Sequence, residues 1–426
     1  MIKVKATKLF DADKERGCVK ITKEYLSPDG LACREWREVH RESDYVNGKS
    51  YRISCDNGKT FGEWITVKKD GAEFYGDDEM ISEDTKMLWN PVCRHYVYTH
   101  WSRYFLGGHE LSYQKFWKSG KRTFFDHQYI AIKKEWSTAP ESCKLVKYEA
   151  GEDFSRENPR NPEFLYKNLG FLNAPTVLSS GDIAVPVGIP VENACKMSGI
   201  DVNEVFPSCP SLHRAVIVAR GKFNPKSREY DFSFSNPVIL GDLESSRGID
   251  EPIVTELKSG RLLLVMRGSN VRNEVWNTRI PEGTPSYKWY SYSDDGGKTF
   301  TEPTPWKFDC GKPIYSAATI SEFIRSTKNG KLYWIGNISD EKAYGNFPRF
   351  PLYIAEVDDE VGVLKSETLT VIDTRREGET EKVQLSNFAL HEDRENLDFV
   401  ICLEKLGQFD ESVPFYGETW KYTVTV

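Results

Sequence analysis

The chain has 426 residues, 64 acidic against 57 basic side chains for a net charge of -7, and 39% hydrophobic and 13% aromatic content. That composition buries ample apolar surface and excludes a disordered chain, while the mild acidity excludes a general basic field for nucleic acid and any pull toward anionic membranes. Nine cysteines, scattered without a Cys-x-x-Cys pair, predict reduced thiols rather than a zinc site or a disulfide framework, so no metal and no cofactor are expected. The longest apolar run, Leu262 to Met266, is far too short to span a bilayer, and Met1 to Lys5 opens no leader-like apolar core; a cytoplasmic location is expected.

In chain order, Ile2 to Leu9 reads as a strand able to close the last module. A turn at Pro28-Asp29-Gly30 follows, then a strand at Tyr51 to Ile53 that enters Ser54-Cys55-Asp56-Asn57-Gly58-Lys59-Thr60-Phe61. A second turn falls at Asn90-Pro91, and Gly120-Lys121-Arg122-Thr123-Phe124 reads as a degenerate trace of the same octapeptide. The clearest hairpins are Ala174 to Leu178 with Ile183 to Val187, Ile253 to Leu257 with Leu262 to Met266, and Ile320 to Ile324 with Leu332 to Ile335. Between the last two lies Ser293-Asp294-Asp295-Gly296-Gly297-Lys298-Thr299-Phe300, and a final turn falls at Arg394-Glu395-Asn396. Helical periodicity is nearly absent.

Two octapeptides obeying Ser-x-Asp-x-Gly-x-Thr-Phe, each after an alternating strand, predict hairpin turns in which glycine supplies positive φ and the aspartate accepts turn amides. Six hairpins at about seventy residues apiece predict one domain over residues 1–426, an all-β, six-bladed β-propeller of four-stranded antiparallel blades. The octapeptides fall on the turn between third and fourth strands, so they are scaffold. Function is expected on the opposite rim, which collects Lys20, Arg41, Asp44, Asp78, His100, Arg103, Asn173, Tyr315, Asn337, Arg349, Gln384 and Asn387. Glu251 and Arg267 lie there too, equidistant from Ser259 and therefore neighbours across a hairpin. An ordinary cross-strand ion pair is the bland alternative for these two, and a turn residue for Asp44. The loops 191–211 and 271–286 exceed hairpin length and predict a lid or an oligomer contact; the oligomeric state stays open.

These residues resemble the sialidase (neuraminidase) superfamily, six-bladed propellers marked by the Ser-x-Asp-x-Gly-x-Thr-aromatic box. The most specific stretch is Asp250-Glu251-Pro252-Ile253-Val254-Thr255-Glu256-Leu257, followed by Gly260-Arg261-Leu262 and a strand ending in Arg267. The resemblance implies that Glu251 activates the nucleophile and that Arg267 and Arg349 belong to a carboxylate-binding arginine triad. Asp44 would be the acid. Where the family has Arg-Ile-Pro, this chain has Val19-Lys20-Ile21, so Lys20 would replace the first arginine, keeping its charge without the bidentate fork. Where the family has its nucleophilic tyrosine, this chain has Val383-Gln384-Leu385-Ser386-Asn387-Phe388, and Tyr315 is the nearest rim substitute.

The expected function is a sialidase-like exo-glycoside hydrolase on a small acidic glycan or oligosaccharide. Glu251, Asp44 and Tyr315 would be catalytic, with Arg267, Arg349, Lys20, Arg41 and His100 binding substrate. Two alternatives stay open: a uronate lyase in which His100 or Tyr315 removes a proton, and a glycan-binding propeller without turnover.

Overall fold

In the computed structural model, which describes residues 2–426 except 68–71, 138, 172 and 209–210, the strands assemble into six antiparallel sheets. Contacts divide the chain into two compact units, Met1–Asp70 with Lys307–Val426, and Gly71–Trp306.

The first unit holds three four-stranded sheets. One runs Cys18–Tyr25, Cys33–His40, Gly48–Ser54 and Ile65–Thr66, and another Ser321–Arg325, Leu332–Asn337, Leu352–Glu356 and Thr370–Asp373. The third runs Phe388–Glu392, Phe399–Glu404 and Thr419–Thr425, and its outer edge is Lys3–Phe10 from the other end of the sequence, paired from Lys3 with Thr425 to Lys8 with Trp420. The opening strand thus closes the last sheet, as the sequence predicts. Ile335, Ile354, Leu390 and Ile401 fill the space between the second and third sheets.

In the second unit, the strands Thr176–Val177, Ile183–Pro190, Arg214–Asn224 and Glu229–Phe234 form one sheet, and Asp250–Glu256, Leu262–Arg267, Lys288–Ser293 and Thr304–Pro305 another. Ala215, Ile217 and Ala219 pack toward Val97 and Ile130, whereas Val216 and Val218 pack toward Leu264 and Met266, so this strand is apolar on both faces because both are covered. The remaining sheet departs from the four-strand expectation. Asp78–Asp84 and Leu88–Asn90 both pair with His95–Phe105, followed by Phe124–Lys133 and Ser142–Leu145, and Glu73–Tyr75 adds an edge, giving six strands. The chain is all-β, a six-bladed β-propeller.

Both octapeptides turn between third and fourth strands with matching bonds. The Ser54 hydroxyl donates to Asp56 Oδ1 at 2.7 Å and accepts from the Gly58 amide at 2.8 Å; Asp56 also accepts from the Thr60 amide at 2.9 Å and hydroxyl at 2.6 Å. The equivalent distances for Ser293, Asp295, Gly297 and Thr299 are 2.8, 2.9, 2.9 and 2.6 Å. The Thr60 hydroxyl and amide, then the Ser54 hydroxyl, hold the Asp56 carboxyl far below its ordinary range. A depressed folded-state value means that the contribution is complete above the ordinary aspartate range and is lost as pH falls through the folded value. Thr60→Val should therefore move the Asp56 titration upward, an NMR-visible shift; an unmoved titration would show that the hydroxyl does not hold the charge.

The helices lie in long connections: α1 (His109–Ser119), α2 (Pro162–Leu165), α3 (Val191–Ser198) and α4 (Val202–Val205). One sequence expectation fails here. Gly120 to Phe124 is not a third-to-fourth-strand turn; it leads from α1, capped by Gly120 at φ 64, into the third strand at Phe124. A full helix after Phe105 displaces the repeat that the residue types imitate.

Candidate functional site

The candidate site grows from an irregularity in the hairpin Asp250–Glu256/Leu262–Arg267. Ile253 faces Val265, but a bulge shifts the register so that Asp250, not Glu251, lies opposite Arg267. Pro252 has no amide to give the ladder, and Glu251 takes φ 45, uncommon for a side chain of its size. The bulge brings both acids to one arginine: Arg267 Nη1 is 2.6 Å from Glu251 Oε1 and Nη2 is 3.3 Å from Asp250 Oδ2. The other Glu251 oxygen, Oε2, is buried without a hydrogen-bond partner.

From Asp250 the charges continue across the unit in alternation. Arg214 Nη1 donates to both Asp250 oxygens at 3.1 and 3.0 Å, and its Nη2 donates to Asp126 Oδ2 at 2.8 Å. Arg103 donates to Asp126 from Nε at 2.6 Å and from Nη2 at 3.1 Å, and from Nη1 to the Tyr113 hydroxyl of α1 at 2.6 Å. The order Arg103, Asp126, Arg214, Asp250, Arg267, Glu251 balances three guanidiniums against three carboxylates. Burial pushes the Asp126 carboxyl upward, but Arg103 and then Arg214 outweigh it and hold the group below its usual range. Asp250 behaves likewise under Arg214 and Arg267.

Arg214 occupies space that glycines leave. A Cβ on Gly188 would come within 3.2 Å of Arg214 Cδ and 3.5 Å of Phe171 Cβ, where the guanidinium lies 3.9 Å over the Phe171 ring. Gly248, at φ 67, bridges Arg214 in parallel, and a Cβ there would press deep into the Arg214 carbonyl oxygen. Gly248→Ala should cost about 2–4 kcal/mol, since it combines left-handed strain with overpacking. Denaturant unfolding measures this, and a loss under about 1 kcal/mol would contradict the close approach.

Above this chain the long connections pack together. Trp276 stacks on Trp117 of α1 at 5.4 Å between ring centres and meets His213 at 5.2 Å, while Phe206 meets His213 at 5.6 Å. The Ser208 hydroxyl lies within hydrogen-bond distance of two acceptors, Asp242 at 2.7 Å and the Asn277 carbonyl at 2.8 Å, and Asp242 pairs with Arg279 at 2.6 Å. The loops expected to form a lid or a contact are thus joined to each other and to α1; residues 209–210 of the first lie outside the described part. Burial, with Arg247 and Arg214 adding repulsion, lowers His213 to about 3 and keeps its imidazole neutral.

Of the residues expected from the sequence, the structure brings Glu251, Arg267 and Arg103 into this chain. It does not bring His100, which pairs with Asp84 at 2.8 Å and packs on Tyr129, on the sheet face opposite Arg103. Alternation along the strand sets that face and removes His100 from the arginines.

The others belong to the first unit. Asp44 is exposed at φ 56, and Arg41 is exposed with Nε donating to the Arg16 carbonyl at 3.3 Å. Lys20 lies 3.9 Å from Glu38. Arg349 donates to Gln384 at 2.6 Å and to the Ala318 carbonyl at 2.9 Å. Tyr315 lines a cavity of 440 Å³ with Phe308, Pro313, Pro348, Phe350 and Tyr353. Sequence reasoning missed Asp126, Arg214 and Asp250; the proline after Asp250-Glu251 is the signal that could have placed the bulge. Among the described residues no group of three or more His, Cys, Asp or Glu side chains could hold a metal, and no helix is long and apolar enough to cross a membrane.

No protein-family model matches the chain, and no curated protein matches its sequence. Solved structures do match. A protein of unknown function from Dyadobacter fermentans superposes with a TM-score of 0.59 and 13% identity over 99% of both chains. A point mutant of NanB sialidase from Streptococcus pneumoniae gives 0.55 and 11% over 98% of this chain and 70% of the other. The chain has the sialidase propeller fold. The intramolecular trans-sialidase from Ruminococcus gnavus, in complex with oseltamivir carboxylate, gives 0.50 and 10% over 98% of this chain and 96% of that one. At such identities the likeness is one of fold.

Proposed function

We propose that the chain is a glycoside hydrolase acting on an acidic, carboxylate-bearing sugar, with Glu251 as general base. The posture of Glu251 carries this reading: a left-handed backbone at φ 45, Oε1 fixed at 2.6 Å by Arg267, and Oε2 buried without a donor. A carboxylate anchored through one oxygen and unoccupied at the other is suited to take the proton of an attacking hydroxyl. Backbone held in a sparsely populated region by its surroundings is a feature of functional sites, which weighs against an ordinary surface ion pair. Sialidases among the neighbours of the same fold support a glycan as the ligand. Arg267 is committed to two acids in this site, so its part is to orient Glu251.

A glycan-binding propeller without turnover is the second reading. It is favoured by Leu385, fully buried where the resemblance expects a nucleophilic tyrosine, beside Gln384 that accepts from Arg349. Release of free acidic sugar from a panel of sialosides and uronosides, compared between the wild type and Glu251→Gln, separates the two readings.

A further inference from the structure

The sheet of Ser321–Arg325, Leu332–Asn337, Leu352–Glu356 and Thr370–Asp373 is covered differently on its two faces. Leu352 and Ile354 of its third strand sit in the core shared with the last sheet, and alternation turns Tyr353, between them, to the other side. There Tyr353 lines the cavity of 440 Å³. Pro348 and Phe350 reach the same cavity, whereas Arg349, between them, is spent on Gln384 and the Ala318 carbonyl.

Backbone hydrogen bonds hold the walls. The Ser339 amide donates to the Tyr315 carbonyl at 2.9 Å, tying the segment after the second strand to the one before the first. The Phe308 amide donates to the Lys312 carbonyl at 2.9 Å and the Asp309 amide to the Leu364 carbonyl at 2.9 Å, which fixes the turn that closes the opposite side. The space is therefore preformed, and its volume falls in the range of about 300–1,000 Å³ that suits a small organic molecule.

Two kinds of surface meet inside. Phe308, Tyr315, Phe350 and Tyr353 offer aromatic rings. Among them the Ser339 hydroxyl is buried without a hydrogen-bond partner, and the Tyr353 hydroxyl makes no hydrogen bond to a described residue, burial alone raising it above its ordinary value. A buried hydroxyl left unsatisfied calls for an explanation, and a hydroxyl on a ligand supplies one. Exposed Lys312 and Asp340 border the space with one charge of each sign, which favours a ligand without net charge.

We infer that this cavity is a second ligand site, within the first unit, and that it takes a neutral sugar ring. A pyranose has C–H faces that lie against aromatic rings and a belt of hydroxyls that both donate and accept, the two properties that the lining demands. A purely apolar ring would leave Ser339 unsatisfied. The site needs no carboxylate, no arginine and no turnover, so it stands under either reading of the second unit.

Calorimetric titration of the full chain tests it, using glucose, galactose and N-acetylglucosamine against glucuronic acid, N-acetylneuraminic acid and phenol. At least one neutral sugar should bind the wild type. Its affinity should fall about 3- to 10-fold in Ser339→Ala, the loss of one neutral hydrogen bond, and about 10-fold in Tyr353→Leu, the loss of a ring face. Because the Ser339 hydroxyl has no partner in the protein, Ser339→Ala should melt at or above the wild-type temperature, and a clearly lower melting point would overturn the claim that this hydroxyl is left for a ligand. Binding of the acidic sugars should be the same in both variants as in the wild type. No neutral sugar bound by the wild type, or equal binding in all three proteins, overturns the inference and leaves the proposed function standing. An acidic sugar weakened as much as the neutral one overturns the assignment to a neutral ligand. Phenol bound tighter than every sugar, and indifferent to Ser339→Ala, overturns the assignment to a sugar.

Discussion

Asp126→Asn should destabilise the protein by about 3–5 kcal/mol, the usual cost of breaking a buried ion pair from one side. Asp126 is 3% exposed and is the shared acceptor of Arg103 and Arg214, whose contacts of 2.6 and 2.8 Å leave no room for water to substitute. An amide of nearly the same shape removes the charge and turns a donor toward two guanidiniums, so both cations are left short of a partner in low dielectric. The exposed pair of Arg228 with Glu141 provides the contrast: Arg228→Ala should cost under about 1 kcal/mol, because solvent already screens it. The effect should also depend on acid. The Asp126 carboxyl is held below its ordinary value, so its contribution is complete above the usual aspartate range and is lost as pH falls through the folded value. Chemical denaturation at neutral pH and at about pH 3 should show the gap between wild type and Asp126→Asn narrowing in acid. Equal stability of the two at neutral pH would show that the alternating chain does not hold the second unit together.

Glu251→Gln should lower turnover of an acidic glycoside by roughly 10²- to 10⁴-fold, the ordinary contribution of a positioned base. Glutamine keeps the shape and can still meet Arg267 through its carbonyl oxygen, so affinity for the acidic sugar should change little. Such a loss in kcat with KM nearly unchanged is the signature of a group that acts in the transition state. The pattern distinguishes a base from a structural acid, whose removal would lower the melting temperature and weaken binding together. If the wild type releases no acidic sugar from any sialoside or uronoside while still binding the free sugars, the hydrolase reading falls and the glycan-binding reading remains.

The scaffold was legible because repeated turns impose repeated residue types. The Ser54–Asp56–Thr60 and Ser293–Asp295–Thr299 bond sets agree to within 0.1 Å, so the same physical demand acts at both turns and leaves the same letters in the sequence. The closing strand Lys3–Phe10 was legible as an opening segment, Ile2 to Leu9, able to add the outer strand of the last module. The site was only half legible. Glu251 and Arg267 could be paired by counting from Ser259, but the bulge that inserts Asp250 opposite Arg267 changes the count by one, and only Pro252 hints at it. Asp126 and Arg214 meet across two different sheets, 88 positions apart in sequence, and no local pattern encodes such a contact. His100 and the segment Gly120 to Phe124 show the reverse error: plausible residue types in the expected place, redirected by strand alternation in one case and by α1 in the other.

The most direct test of the account is a crystal structure of the chain soaked with the free acidic sugar that binds best in titration. The account predicts the sugar in the second unit, with a hydroxyl or anomeric oxygen within about 3 Å of Glu251 Oε2. A sugar bound elsewhere, with Glu251 untouched, would contradict it.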